Sequence, residues 1–100
     1  MNIPSSVTAI GSKAFYGCTN LTEINIPDGV TEIGGLAFYR CEFTEVTIPA
    51  SVTKIGARAF VHCTYIQSVT FDDPVGWYDY DTDDEIDVSD RWSGIYKQTN

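Results

Sequence analysis

Apolar positions recur along this chain in one fixed order, three times over. Val7, Ile10, Ala14, Phe15, Cys18, Leu21, Ile24 and Ile26 make the first set. Val30, Ile33, Ala37, Phe38, Cys41, Phe43, Val46 and Ile48 make the second, and Val52, Ile55, Ala59, Phe60, Cys63, Ile66, Val69 and Phe71 the third. The intervening residues follow a common frame, P-x-x-V-T-x-I-G-x-x-A-F-x-x-C, opening at Pro4, Pro27 and Pro49. The repeats are therefore 4–26, 27–48 and 49–71. Units of this length are the signature of a solenoid, in which one short coil stacks on the next and buries what it cannot bury alone.

Each repeat predicts the same elements. Proline has no N–H to give a ladder and ends a strand. The V-T-x-I alternation predicts a short extended segment. Gly11, Gly34 and Gly56 predict corners that need either a positive φ or a close backbone approach. Ala-Phe followed three residues later by Cys suits one or two helical turns facing inward, too short to stand without packing. Leu21-x-x-Ile24-x-Ile26 and its two counterparts end in period-two alternation and predict strands that stack into a parallel sheet. Ile3, at the end of a fourth such segment, brings the sheet to about four strands. The expected class is thus α/β, and a residue missing between Cys41 and Phe43 falls at a corner that a short loop absorbs.

After Phe71 the frame breaks, and 72–100 reads as a separate C-terminal cap on the solenoid of 1–71. Asp72 to Gly76 has turn chemistry. Trp77 to Tyr80 and Ile86 to Val88 predict a β-hairpin, and Ser89 or Asp90 a cap for a short final helix through Trp92 and Ile95.

Charge sharpens this division. Residues 1–71 carry four cations against five anions, residues 72–100 two against nine. An acidic tail and repeats without a basic stripe argue against nucleic acid. No apolar run reaches the roughly 20 residues that span a bilayer, and the first residues lack the basic and apolar blocks of a signal peptide. The three cysteines, Cys18, Cys41 and Cys63, share one frame position. They read as a column of free, buried thiols acting as small hydrophobes, with a redox role as the alternative. His62 is the only histidine, and its frame mates Gly17 and Arg40 mark a solvent-facing position. Neither catalysis nor a cofactor is expected.

The frame, with its I-P start and its L-x-x-I-x-I-P end, resembles the BspA-like class of leucine-rich repeats over residues 3–71. The tail, with Phe71-Asp-Asp-Pro-x-Gly-Trp77-Tyr78 and Ile86-Asp-Val88-Ser-Asp90, resembles that family's closing segment. The resemblance implies a right-handed leucine-rich-repeat solenoid in a bacterial cell-surface or secreted protein that binds extracellular or host macromolecules. The departures are a missing N-terminal cap, the shortened second repeat and the early end after Trp92. They point to a C-terminal fragment or a very short member.

Three candidate surfaces follow. The outward side of the strands carries Asn2, Asn25, Thr47 and Thr70 in one column and Glu23, Glu45 and Ser68 in the next, and solenoids recognise ligands through such aligned positions. Asp79, Asp81, Asp83, Asp87 and Asp90 fall at calcium-loop spacing, but Asp84 stands where that loop needs glycine. A solvated hairpin tip explains the same residues. Trp77, Tyr78, Tyr80, Trp92 and Tyr96 suit either a sugar-binding face or a lid over the last coil. A non-enzymatic interaction module with a protein or glycan partner is the leading reading. A structural spacer, or a calcium- or carbohydrate-binding tail, is the alternative. The first coil has no preceding neighbour, so its edge is also expected to self-associate.

Overall fold

The structure, a computed structural model, describes residues 3–88 and 92–97. It contains β1 (Ala9–Ile10), β2 (Glu32–Ile33), β3 (Glu45–Ile48), β4 (Lys54–Ile55), β5 (Ser68–Phe71), β6 (Trp77–Asp79) and β7 (Ile95–Lys97). Each repeat forms one coil, and like frame positions lie side by side. Ile10 pairs with Ile33 and Ile33 with Ile55 on one flank, both parallel. Glu45 pairs with Ser68 and Thr47 with Thr70 on the other.

The frame residues have local reasons. A turn follows each proline, with the N–H of Val7, Val30 and Val52 donating to the carbonyls of Pro4, Pro27 and Pro49 at 3.1 Å. Thr31 directs both its N–H, at 2.8 Å, and its hydroxyl, at 3.2 Å, to the carbonyl of Thr8 one coil back. Thr53 does the same toward Thr31. The corner glycines serve close approach. A Cβ on Gly34 would lie 2.4 Å from the Ser12 nitrogen, and one on Gly56 2.4 Å from the Gly35 nitrogen. Gly11, in the first coil, faces open space.

The Ala-Phe segments are not helical turns, and no helix occurs among the described residues. Each is a chain of overlapping four-residue turns. The N–H groups of Ala14, Tyr16 and Cys18 donate three residues back, to Gly11, Lys13 and Phe15. The intervening N–H groups of Lys13, Phe15 and Gly17 donate to Gly35, Ala37 and Tyr39 in the next coil. A helix would turn every N–H inward along its own axis; here alternate donors leave the coil and tie it to its neighbour. Two positions four residues apart in each of these segments have left-handed backbone. Lys13, Leu36 and Arg58 have φ of 59–60°, and Gly17, Arg40 and His62 have 61–72°.

The core fills the space between the two flanks. Phe38, Phe43, Ile33, Ile48, Ile55, Val30 and Val52 are fully enclosed. Phe15, Phe38 and Phe60 form a stacked column at 5.4 Å per step, close to the spacing of adjacent strands.

Two further expectations need correction. The parallel sheet of about four strands is a pair, β3 and β5, with a single bridge at Asn25 in the first coil. The flank opposite carries the larger sheet, ordered β1-β2-β4-β7-β6. The tail also folds differently. Its first strand, β6, pairs antiparallel with β7; the expected partner, Ile86 to Val88, forms no strand, and a lone bridge joins Tyr78 to Glu85 just before it. The stretch expected as a final helix supplies a strand instead, with Ile95 fully buried beside Ile55. The open edge of β4 decides this, because its carbonyls need donors. Lys97 N–H supplies Thr53 and Gly94 N–H supplies Gly56. Ser89 and Asp90, the expected helix caps, lie outside the described residues.

Candidate interaction surfaces

The strand flank forms a groove of about 470 Å³ lined in part by Glu23, Asn25, Glu45, Thr47 and Thr70. Alternation along β3 turns Val46 and Ile48 into the core and leaves Glu45 and Thr47 exposed. The register then sets Thr47 beside Thr70. The sequence reading omitted Thr22 and Thr44, which also line the groove. They precede the alternating stretch, and the bend there turns two successive residues outward. Their shared frame position was the available signal. Ser68 is exposed but lies off the groove wall, and Asn2 is outside the described residues. The groove offers carboxylates, hydroxyls and an amide, a surface able to take cations or hydroxyl-rich ligands.

The acidic loop has a different geometry. Asp79 is 5% exposed, and its Oδ1 accepts the N–H groups of Asp81 at 2.8 Å and Thr82 at 2.9 Å. Its carboxylate thus holds the turn. Asp83 accepts the Tyr96 hydroxyl at 2.8 Å, which pushes the Tyr96 phenol above its usual pKa. Among the described residues, no group of three His, Cys, Asp or Glu side chains is placed to hold a metal ion. Asp90 lies outside them.

The tail aromatics divide by position. Trp77 is buried edge-on to Phe71 at 5.3 Å, and its indole N–H donates to the Asp73 carbonyl. Lys97 bridges to Asp73 at 2.7 Å and holds that carboxyl below its ordinary pKa. Tyr78 stacks on Tyr96, and Tyr80 meets Tyr96 edge-on while Lys54 lies over its ring. Trp92 packs against the core. Trp77 therefore acts as a lid, whereas Tyr80 stays exposed.

The thiols of the cysteine column are free. Cys41 is buried, and burial pushes its pKa up to about 12, with the neighbouring Cys63 and Cys18 adding to the shift. Burial likewise raises Cys63.

Stacked coils of this frame, with a polar groove along one flank, define a leucine-rich-repeat module. Residues 1–78 match the BspA type leucine rich repeat region in six copies, and the chain belongs to that family. Its fold is similar to that of a leucine rich cell surface protein from Faecalibacterium prausnitzii A2-165, with a TM-score of 0.72 and 35% identity over 80% of this chain. The chain spans 21% of that protein's length. No curated protein matches the sequence.

Proposed function

We propose that this chain is a non-enzymatic interaction module of a bacterial cell-surface or secreted protein, and that it engages an extracellular or host macromolecule through the strand-flank groove. The observation that carries this reading is the convergence of Glu23, Asn25, Glu45, Thr47 and Thr70, from three separate coils, on one concavity. The groove has no aromatic among its lining residues. Tight interfaces usually rest on such anchors, so these coils bind weakly by themselves and gain strength where more coils extend the groove. The test is a panel of immobilised extracellular-matrix proteins and glycans, probed with the chain and with Glu23→Lys combined with Thr47→Lys. Loss of binding in the double variant supports the groove. Unchanged binding, with loss instead in Tyr80→Ser, moves the site to the tail.

A second reading rests on the first coil. Ile3, Val7, Ala9, Ile10, Ala14 and Phe15 line an apolar patch beside the edge of β1, where Gly11 faces open space. An apolar edge of this kind associates with a second copy. Sedimentation up to millimolar concentration checks it. Gly11→Ala, which sets a methyl where a second coil would lie, should return any dimer to monomer, and a strictly monomeric chain rejects the reading.

A further inference from the structure

The row of bonds that ties one coil to the next stops at the third coil. In the first two coils, alternate turn N–H groups reach carbonyls of the coil that follows. Lys13, Phe15 and Gly17 donate to Gly35, Ala37 and Tyr39, and Leu36, Phe38 and Arg40 to Ala57, Ala59 and Val61, all at 2.8 to 3.2 Å. Arg58, Phe60 and His62 hold the same frame positions in the third coil. Their segment keeps the same turns, with the Val61 N–H donating to Arg58 and the Cys63 N–H to Phe60 at 3.2 Å. Arg58 and His62 also keep the left-handed backbone, at φ of 60° and 61°. Yet the N–H groups of Arg58, Phe60 and His62 meet no acceptor among the described residues.

Tail donors close the β4 side of this coil, through Gly94 and Lys97, but no described tail residue gives the turn side an acceptor. Between the two lies a cleft of about 390 Å³, lined by Ala57, Arg58, Phe60 and Val61 on the coil side and by Asp81 and Trp92 on the tail side. The enclosed indole N–H of Trp92 also has no acceptor among the described residues. The carbonyls of the coil wall are already engaged. Ala57, Ala59 and Val61 accept from the second coil, and Arg58 and Phe60 accept from their own turns. The backbone of this wall therefore has donors to offer and no idle carbonyl.

We infer that this cleft is a docking site for a proline-rich segment of a partner protein, held in the polyproline II form. A wall of backbone donors selects a chain that offers acceptors without donors. Proline has no N–H, and a polyproline II segment leaves its carbonyls free of internal bonds. The molecule itself shows which acceptor such a row takes, since both equivalent rows bind peptide carbonyls. Phe60, Val61 and the Trp92 indole give the pyrrolidine rings an apolar, aromatic wall. An ordinary strand fits less well, because it faces the row with N–H groups of its own. A sugar's hydroxyls likewise donate as well as accept. An anion meets Asp81 in the same cleft and a chain of net charge −8.

The experiment is an NMR titration of the full chain with an end-blocked oligoproline, with an end-blocked glycine–serine peptide, neutral dextran and sulfate in parallel. Oligoproline should move the amide protons of Arg58, Phe60 and His62 downfield and slow their exchange with solvent. Its affinity should change by less than about twofold between 50 and 200 mM salt, because a neutral ligand releases no counterions. Ala57→Trp, at an exposed position on the cleft wall, fills the cleft and should abolish the shifts while circular dichroism matches the parent. No shift at the three amides of the parent chain overturns the inference, as do shifts confined to the strand-flank groove around Thr44 and Thr47. So does an equal effect of the glycine–serine peptide, of dextran or of sulfate on the same amides.

Discussion

The thiol of Cys63 donates to the carbonyl oxygen of Phe38, one coil back, at 2.8 Å. Cys41 makes the same bond to Phe15 at 3.4 Å. Stacking makes this possible, since each cysteine follows its own phenylalanine by three positions and reaches the phenylalanine of the coil before. Cys41 and Cys63 are therefore donors held in their protonated form. A thiolate is the reactive species, so Cys41 should label slowest with a maleimide at pH 8, and Cys18, only partly buried, fastest. The intact mass should show three free thiols; a mass two units low, from one disulfide, would contradict it.

The same protonation fixes a pH dependence. Cys41 titrates at about 12 in the folded chain, against an ordinary value of 9.0. A raised folded pKa means the unfolded chain loses its proton first. The stabilisation is complete below the ordinary value and is lost as pH rises toward 12. The denaturation midpoint should thus fall between those limits, and Cys41→Ala should flatten the decline. Equal slopes in parent and variant would remove the thiol as its cause.

The glycine corners supply an internal control. At Gly34 and Gly56 a methyl would meet backbone at 2.4 Å, and backbone of a neighbouring coil has little room to yield. Gly34→Ala and Gly56→Ala should each destabilise by about 3 kcal/mol, the upper end of overpacking costs. Gly11 has no neighbour and no left-handed φ, so Gly11→Ala should stabilise by about 0.4–1 kcal/mol through the unfolded state. Urea melts of the three variants decide the matter.

Arg40 holds a left-handed backbone at φ 62°, where the first coil has Gly17 at 72°. That conformation costs a residue with a Cβ about 1–2 kcal/mol. Arg40→Gly should raise stability by up to about 1 kcal/mol, and Gly17→Ala should lower it by a similar amount. A loss of stability in Arg40→Gly would show that the guanidinium over Tyr39 outweighs the backbone strain.

Phe38 stacks between Phe15 and Phe60 and meets Phe43 edge-on. Truncation to alanine opens the middle of the column and should cost about 3–5 kcal/mol. For a domain of this size that lowers Tm by well over 10 °C. Trp77→Ala should cost a similar amount by uncovering Phe71, and a mild effect there would mean that the tail is a loose appendage.

What was legible in the sequence was whatever repeated. The inward positions and the exposed faces of β3 and β5 followed from periodicity alone, because a stacked coil places like residues together. The Ala-Phe segments misled, since their apolar spacing also fits a helical turn, and spacing says nothing of which N–H leaves the coil. The left-handed residues were hidden for a related reason: only Gly17 among the six aligned turn positions announces positive φ, and Lys13, Leu36, Arg40, Arg58 and His62 do not. The tail repeats nothing. Ile95 and Tyr96 became a strand because the edge of β4 was open, a tertiary demand that a local reading of Trp92 and Ile95 does not contain. Of the groove, Glu23, Asn25, Glu45, Thr47 and Thr70 were legible from alternation, while Thr22 and Thr44 required the bend.

The alternate bonding between coils also has a mechanical meaning. A coil of 22 or 23 residues advances the stack by only about 5 Å, the distance between neighbouring strands. Drawn out at about 3.4 Å per residue, the same segment is on the order of 75 Å long. Tension along the axis therefore meets a spring that is stiff until the row of bonds at one coil boundary gives way. It then pays out about 70 Å of chain before the next boundary is loaded. A stack built this way yields under load by shedding coils one at a time, and force spectroscopy would read that reserve as evenly spaced steps.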